Sequence, residues 1–131
     1  SYFAVTHDTH TEKIINCTID TLIACQTRDG GWPYNLTRKL MGIDCKATSI
    51  IALSLYKWFE LNPDRTDCRD AARRALIWCE KHTANEGMCE GGIFSYSTEG
   101  AIVHSMYTST AFTYACAYAI ELATMLKGNE Q

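Results

Sequence analysis

Two glycine pairs, Gly30-Gly31 and Gly91-Gly92, stand at equivalent places in the two halves of the chain. The apolar segment Leu22-Ile23-Ala24-Cys25-Gln26 precedes the first pair, and Leu76-Ile77-Trp78-Cys79-Glu80 precedes the second. The two apolar segments lie 54 residues apart, whereas the glycine pairs lie 61 residues apart, so the extra residues fall in the loop before the second pair. Because a chain with an internal repeat folds as repeated units, this feature restricts the possible architectures more than any other.

The hydrophobic pattern predicts two helices of different character in each repeat. The first carries a single apolar stripe, which is typical of a helix with one face in water. The second is apolar nearly all round, as between Ala47 and Phe59, and such a helix is buried on several sides. The four helices are expected at about 9–26, 44–61, 66–81 and 105–126.

The 131 residues therefore predict a single all-α domain of two repeated helix hairpins, at about 9–61 and 66–126. Each hairpin has an outer amphipathic helix and an inner apolar helix. Short polar motifs mark the helix ends. Thr9 and Glu12 have the spacing of a capping box, and Asp44 suits the N-cap of the second helix.

The glycine pairs are expected to form tight turns, since glycine adopts positive φ angles without a Cβ clash. After the first pair, Pro33 prevents the helix from resuming. An acidic residue precedes the glycines in both repeats, and we interpret it as part of the turn rather than as half of a catalytic pair. The predicted structural turn residues are Gln26, Asp29, Gly30, Gly31, Glu90, Gly91 and Gly92.

Composition argues against several classes of partner. The formal net charge is −3 and no concentrated basic face is visible, which disfavours nucleic-acid binding. No run approaches the roughly 18 apolar residues that a membrane-spanning helix needs. The seven cysteines are an odd number without the close spacing of a metal site. We therefore expect a reducing, cytoplasmic location, no nucleic-acid partner and no membrane span.

The segment Gln26-x-x-Asp29-Gly30-Gly31-Trp32 resembles the glutamine–tryptophan repeat of squalene cyclases and related terpenoid cyclases. It is also similar to the glycine–glycine turns of protein prenyltransferase β subunits. These families share the α/α toroid, a ring of five to seven helix pairs, of which this chain has two. The resemblance implies that Gln26 caps backbone groups at a helix end and that Trp32 stacks over the turn, tying neighbouring pairs together. The second repeat has Glu80 in place of the glutamine and Ile93 in place of the tryptophan.

The resemblance also implies where chemistry would occur, at the start of the inner helices. Terpenoid cyclases carry an acidic cluster there, whereas this chain has the single carboxylate of Asp44, which we interpret as an N-cap. Protein prenyltransferases hold zinc there, and the matching residues are Asp44, Cys45 and His104. The first two are neighbours on a helix and point about 100° apart, so they cannot easily reach one ion. We therefore expect no catalytic residue, no metal and no cofactor.

Aromatic residues near the two turns are the best candidates for binding a ligand. If the helix pairs stand side by side, both long loops lie at one end of the inner helices, and aromatic-lined mouths of helical assemblies bind apolar ligands or peptides. The alternative is that these rings cover the core. The candidate ligand-binding residues are Trp32, Tyr34, Phe94, Tyr96 and Tyr107.

Taken together, these patterns favour a helical binding or interaction module, an accessory or sensor domain of a larger protein or assembly. Its expected partners are other helix pairs, from its own copies or from another domain, or an apolar ligand. The alternative is a fragment of a prenyltransferase- or terpenoid-cyclase-like enzyme that acts on an isoprenoid substrate. A third possibility is a purely structural repeat.

Overall fold

The computed structural model describes residues 8–37, 42–83 and 113–128. These residues form four α-helices, and the only β pairing among them is one isolated bridge. The helices are α1 (Thr9–Cys25), α2 (Cys45–Leu61), α3 (Thr66–Lys81) and α4 (Thr113–Gly128). The prediction of an all-α chain is therefore confirmed.

Helix α1 begins at Thr9, but the residue that caps it is Asp8. The Asp8 carboxylate accepts a hydrogen bond from the main-chain N–H of Thr11 at 2.9 Å. The capping box predicted from Thr9 and Glu12 is therefore wrong, because the main chain is already helical at Thr9 and the last non-helical residue is Asp8. At the other end the helix stops at Cys25, one residue before the predicted end, and Gln26 is extended.

Helices α2 and α3 begin and end where the sequence predicts. The Asp44 carboxylate accepts from the main-chain N–H of Lys46 at 2.9 Å and so caps α2. Asn62 ends the helix, and four residues later α3 begins at Thr66. Helix α4 continues two residues past its predicted end, to Gly128, and its predicted start at residue 105 lies outside the described residues.

The helices pack with alternating directions. Cys45 at the start of α2 shares an apolar cluster with Cys79 near the end of α3, so these two helices are antiparallel. Cys45 also shares that cluster with Ala115 near the start of α4, while Lys57 forms a 2.6 Å ion pair with Glu121, so α2 and α4 run parallel. Helix α2 makes its most extensive contacts with α3 and α4. It is the central helix of the described structure.

Helix α2 is much more buried than α1. Helix α2 buries eight residues, including Thr48 and Ser49, whereas α1 buries only Ile19. All four helices contribute to the main core, for example through Ile19 of α1, Leu55 of α2, Ala72 of α3 and Leu122 of α4. None of the four described helices combines the length and the apolar character that crossing a bilayer requires.

Candidate functional site

The glycine turn after α1 packs directly against α3. Gly30 has a φ angle of 103°, in the left-handed region that favours glycine. A Cβ atom at Gly30 would also collide with the main-chain carbonyl oxygen of Arg74 in α3. The turn is closed by the N–H of Gly30, which donates to the carbonyl of Thr27 at 3.0 Å. Gly30 is therefore required both for its conformation and for the close approach of the two segments.

The second glycine leaves room for aromatic and aliphatic side chains. A Cβ atom at Gly31 would overlap the Ile43 side chain and would lie 3.2 Å from the indole ring of Trp78. Trp78, from α3, is buried, and its ring stacks on His82 with centroids 4.1 Å apart. The ring that covers the turn is therefore Trp78. The internal repeat predicted from the sequence would align Trp78 with Ala24, and this large difference is the only signal of its role in the sequence.

Gln26 connects the turn to α3 through its side-chain amide. The Nε2 group donates to the carbonyl of Gly30 at 2.8 Å and to the carbonyl of Ala71 at 2.9 Å. The Oε1 atom accepts from the Arg74 guanidinium, at 2.6 Å from Nη2 and 3.2 Å from Nε. The donors and the acceptor of the amide are thus used in contacts within the turn and between the turn and α3. An amide is suited to this position because it donates and accepts at once.

Trp32 lies inside the domain and connects three elements. Its side chain is 0% exposed, and the indole N–H donates to the carbonyl of Leu22 in the last turns of α1 at 2.7 Å. The main-chain N–H of Trp32 donates to the hydroxyl of Thr48 in α2 at 2.9 Å. Trp32 therefore caps one helix and anchors the chain to a second, and its ring has no surface for a ligand.

An isolated β-bridge between Pro33 and Ile43 holds the chain together after the turn. The N–H of Tyr34 donates to the carbonyl of Gly42 at 2.9 Å, and the N–H of Asp44 donates to the carbonyl of Trp32 at 3.0 Å. These bonds place the start of α2 beside the turn. Asp44 is therefore part of the local backbone scaffold through its main chain and caps α2 through its side chain.

The other predicted residues are distributed as follows. Asp29 is exposed in the turn, and Tyr34 is 36% exposed. Cys45 is buried in an apolar cluster with residues of α3 and α4, and no group of described His, Cys, Asp or Glu residues has the arrangement of a metal site. The residues Glu90, Gly91, Gly92, Phe94, Tyr96, His104 and Tyr107 lie outside the described residues.

Arg65 forms a second connection between α1 and α3, and no pattern in the sequence singles it out. Its guanidinium donates to the side chains of Asn16 and Asp20 in α1, each at 2.7 Å, and to Asp67. The hydrogen bond to Asp67 raises the pKa of Arg65 above its ordinary value and lowers the pKa of Asp67 below its own. Together with the Gln26 contacts, it shows that α1 and α3 run parallel.

Three thiols meet between α2, α3 and α4. Cys45 and Cys79 are buried in one apolar cluster, and Cys116 packs against it. Burial, with smaller contributions from the two neighbouring thiols, raises the pKa of Cys79 to about 12. These cysteines are free thiols, and Cys79 behaves as a small apolar side chain rather than as a nucleophile.

The described helices carry open, mostly apolar cavities on two sides of the domain, along α1 and between α3 and α4. Between α1 and α2 there is a groove of about 350 Å³. A larger depression of about 580 Å³ lies along the outer side of α1 and includes Ile14, Cys17, Thr18 and Thr21. At the other end, two shallow cavities between α3 and α4 share Leu76, Glu80 and Ala123. Among the described helices, the open cavities therefore lie along α1 at one end of the helix array and between α3 and α4 at the other.

Comparison of the chain with models of known protein families, with curated proteins and with solved structures found no match.

Proposed function

We propose that this chain is a non-catalytic helical interaction module whose repeats are of the terpenoid cyclase and protein prenyltransferase type. It acts as an accessory or sensor domain of a larger protein or assembly. Its partners are further α-helix pairs, which pack on the open ends of the two-pair array as the second pair packs on the first. The glycine turn is the joint between successive pairs.

The contact between the turn and α3 is the observation that carries this proposal. Gln26 has its amide donors on two carbonyls and its acceptor on Arg74, and the backbone of Gly30 lies against the carbonyl of Arg74. Because Gln26 uses its donors and its acceptor in contacts at the boundary between the two helix pairs, we assign it a role in packing the pairs together. The toroid arrangement of these families is supported by parallel outer helices, parallel α2 and α4, and this joint.

The carboxylate at the start of α2 also serves structure. Asp44 accepts from the N–H of Lys46, which satisfies one of the unpaired donors at the helix start. Cys45 beside it is fully buried. A general acid for isoprenoid chemistry needs a carboxyl group that is free to approach substrate, whereas the half-buried Asp44 carboxylate is engaged as the cap of α2.

The exposed apolar residues support the binding of helix pairs. Ile14 on α1 is 54% exposed, while Ile77 on α3 and Ile120 on α4 are 49% and 67% exposed. These side chains lie on the two ends of the array, beside the cavities described above. Apolar patches of this kind on a small domain mark interaction sites.

The proposal is tested with an environment-sensitive dye and with isoprenoid substrates. A dilute solution of the chain is titrated with the dye ANS, and the variants Thr18→Arg and Ile77→Arg are compared with Asp64→Lys in the exposed turn between α2 and α3. We expect lower dye binding for the two end variants and no change for the control. Equal dye binding by all variants, or turnover of farnesyl diphosphate or squalene by the chain, would contradict the proposal.

A further inference from the structure

The contacts that join the first helix pair to the second show which residues a further pair would need in order to pack in the same way. Building on the function proposed above, we propose that copies of this chain dock head to tail, with the α3/α4 end of one copy on the α1 side of the next. The α1 face consists of Ile14, Cys17, Thr18 and Thr21. The α3/α4 face consists of Ile77, Glu80 and Ile120.

The α1 face repeats a surface that is buried elsewhere in the same molecule. A shift of 54 residues places its members on Cys68, Ala71, Ala72 and Ala75, in the same order. Those four residues of α3 are all 0% exposed, since α3 has the first helix pair on one side. The four α1 residues lie on the surface instead, and all of them line the depression of about 580 Å³. The α1 face therefore has the position and small side chains of a docking surface, but none of the described helices packs in front of it.

The α3/α4 face is the counterpart of the surface that the first pair offers to α3. Ile77 is equivalent to Ile23, and Ile120 is equivalent to Phe59 by the shift of 61 residues. Ile23 and Phe59 pack against the main core, and the Phe59 ring contacts the Arg69 guanidinium of α3, 5.5 Å from its centroid. Ile77 and Ile120 are exposed. The chain thus carries both halves of a joint that it forms only once among the described residues.

The contacts between the first helix pair and α3 indicate which residues would meet between two copies. Arg69, which lies over Phe59, is equivalent to Ile15, so Ile120 of one copy meets the region of Ile15 in the next. This exchanges a cation–aromatic contact for an apolar one. A second copy is therefore the occupant, because its α1 side offers the small and aliphatic residues at the places where α3 offers them inside the chain.

One contact between the two copies would be repulsive where its equivalent inside the chain is attractive. Glu80 stands where Gln26 stands, and the equivalents of Ala71 and Arg74 are Cys17 and Asp20. A carboxylate cannot donate to the Cys17 carbonyl, and it meets a second carboxylate where Gln26 meets a guanidinium. Asp20 is held by Arg65 at 2.7 Å, which compensates its charge in part. The docking of copies is therefore weak and reversible, and Glu80 limits its strength.

The geometry of the joint determines the kind of assembly. The two faces are different surfaces of the chain, so the contact is heterologous, and an open assembly of any size keeps one free α1 face and one free α3/α4 face at its ends. Such a contact adds further copies, and a ring closes where the rotation between copies allows it. This distinguishes it from a two-fold dimer, in which both faces would be the same.

Sedimentation velocity of the full chain over a wide concentration range tests the proposal. We expect the mean mass of the wild type to rise with concentration, while Thr18→Arg and Ile77→Arg, each blocking one face, remain monomers. An equimolar mixture of these two variants retains one good face of each kind, so it forms a 1:1 dimer and nothing larger. Asp64→Lys associates as the wild type does. Circular dichroism establishes that each variant keeps its helices, and Cys17→Arg with Ile120→Arg provides a second pair of blocking variants.

Glu80→Gln restores the amide of the internal joint, and we expect it to lower the dissociation constant on the order of tenfold by removing the like-charge contact. A wild type that stays monomeric at every concentration would overturn the proposal, as would a mixture of the two blocked variants that forms no dimer. If the monomer still shows dye binding that depends on Thr18 and Ile77, the interaction module stands and its partner is another protein. If dye binding is also insensitive to these residues, both proposals fail.

Discussion

The side-chain amide of Gln26 donates a hydrogen bond to the main-chain carbonyl of Ala71, 45 residues further along the chain, at 2.9 Å. This bond crosses from the end of α1 to the middle of α3, where the helix is approached by the glycine turn. It connects a local motif to the packing of the two helix pairs. The stability of the domain is expected to depend on it more than on ordinary surface hydrogen bonds.

Replacing Gln26 with alanine removes two donors and one acceptor from the joint. Because the carbonyls of Gly30 and Ala71 lose a partner in a half-buried place, we expect the free energy of unfolding to fall by about 1–3 kcal/mol in urea titrations. Gln26→Glu keeps the acceptor for Arg74 and loses the donors, so it separates the two contributions. Lys13→Ala, on the exposed side of α1, is the control. Equal stability of Gln26→Ala and this control would show that the joint contributes nothing.

Replacing glycine with alanine is expected to lower the stability of the protein at Gly30 in the turn but not at Gly128 at the end of α4. Gly30→Ala places a Cβ at a positive φ angle and against the Arg74 carbonyl, so we expect a loss of about 2–4 kcal/mol. A Cβ atom at Gly128, the last residue of α4, would have no neighbour within 4 Å, and the φ angle there is not positive. Gly128→Ala should therefore be neutral or raise stability by up to about 1 kcal/mol. Thermal unfolding of the two variants side by side measures the difference, and similar midpoints would contradict it.

Thr48→Val tests the buried bond that anchors Trp32 to α2. The substitution keeps the shape of the side chain but leaves the main-chain N–H of Trp32 without its acceptor, which should cost about 1–3 kcal/mol. Thr48→Ser keeps the hydroxyl and loses a methyl group, at a cost of about 1 kcal/mol. Urea titration followed by tryptophan fluorescence measures both. A valine variant more stable than the serine variant would show that the hydroxyl is not needed.

The buried thiols predict a loss of stability in alkaline solution. The pKa of Cys79 is raised to about 12 and that of Cys68 to about 11, both chiefly by burial, from an ordinary value of 9.0. The folded state therefore keeps protons that the unfolded state loses, so the stabilisation is complete below pH 9 and declines as the pH rises through these values. Cys79→Ala should show a shallower decline between pH 9 and pH 11 than the wild type. Parallel declines would contradict the assignment.

Local sequence signals predicted where the helices end, whereas the choice between neighbouring caps and the burial of Trp32 depend on the folded backbone and on long-range contacts. Asp44 and Asn62-Pro63 act within one turn of the chain, and α2 begins and ends where they predict. Asp8 shows the limit of such signals, since neighbouring Asp and Thr residues are both suitable caps and only the backbone geometry chooses between them. Residue type alone also could not show that Trp32 faces inward.

The turn itself could be predicted from its glycines, but its partners were beyond the sequence. Ala71 and Arg74 lie 45 and 48 residues from Gln26 along the chain, and no local pattern relates them. The role of Arg65 also could not be predicted from the sequence, because its contacts to Asn16 and Asp20 depend on the parallel packing of α1 and α3. The internal repeat predicted from the sequence could relate such positions to one another only once the contacts around Gln26 are known.

The bridge between Pro33 and Ile43 has a practical consequence for the engineering of this chain. Its two hydrogen bonds, Tyr34 to Gly42 and Asp44 to Trp32, fix both ends of the intervening segment on the domain. Lengthening a segment with fixed ends costs only about 0.6 kcal/mol for each doubling of its length. An epitope, a fluorescent peptide or an affinity tag inserted after Leu36 should therefore leave Trp32 and the start of α2 in place. Natural insertions would be tolerated at the same place for the same reason.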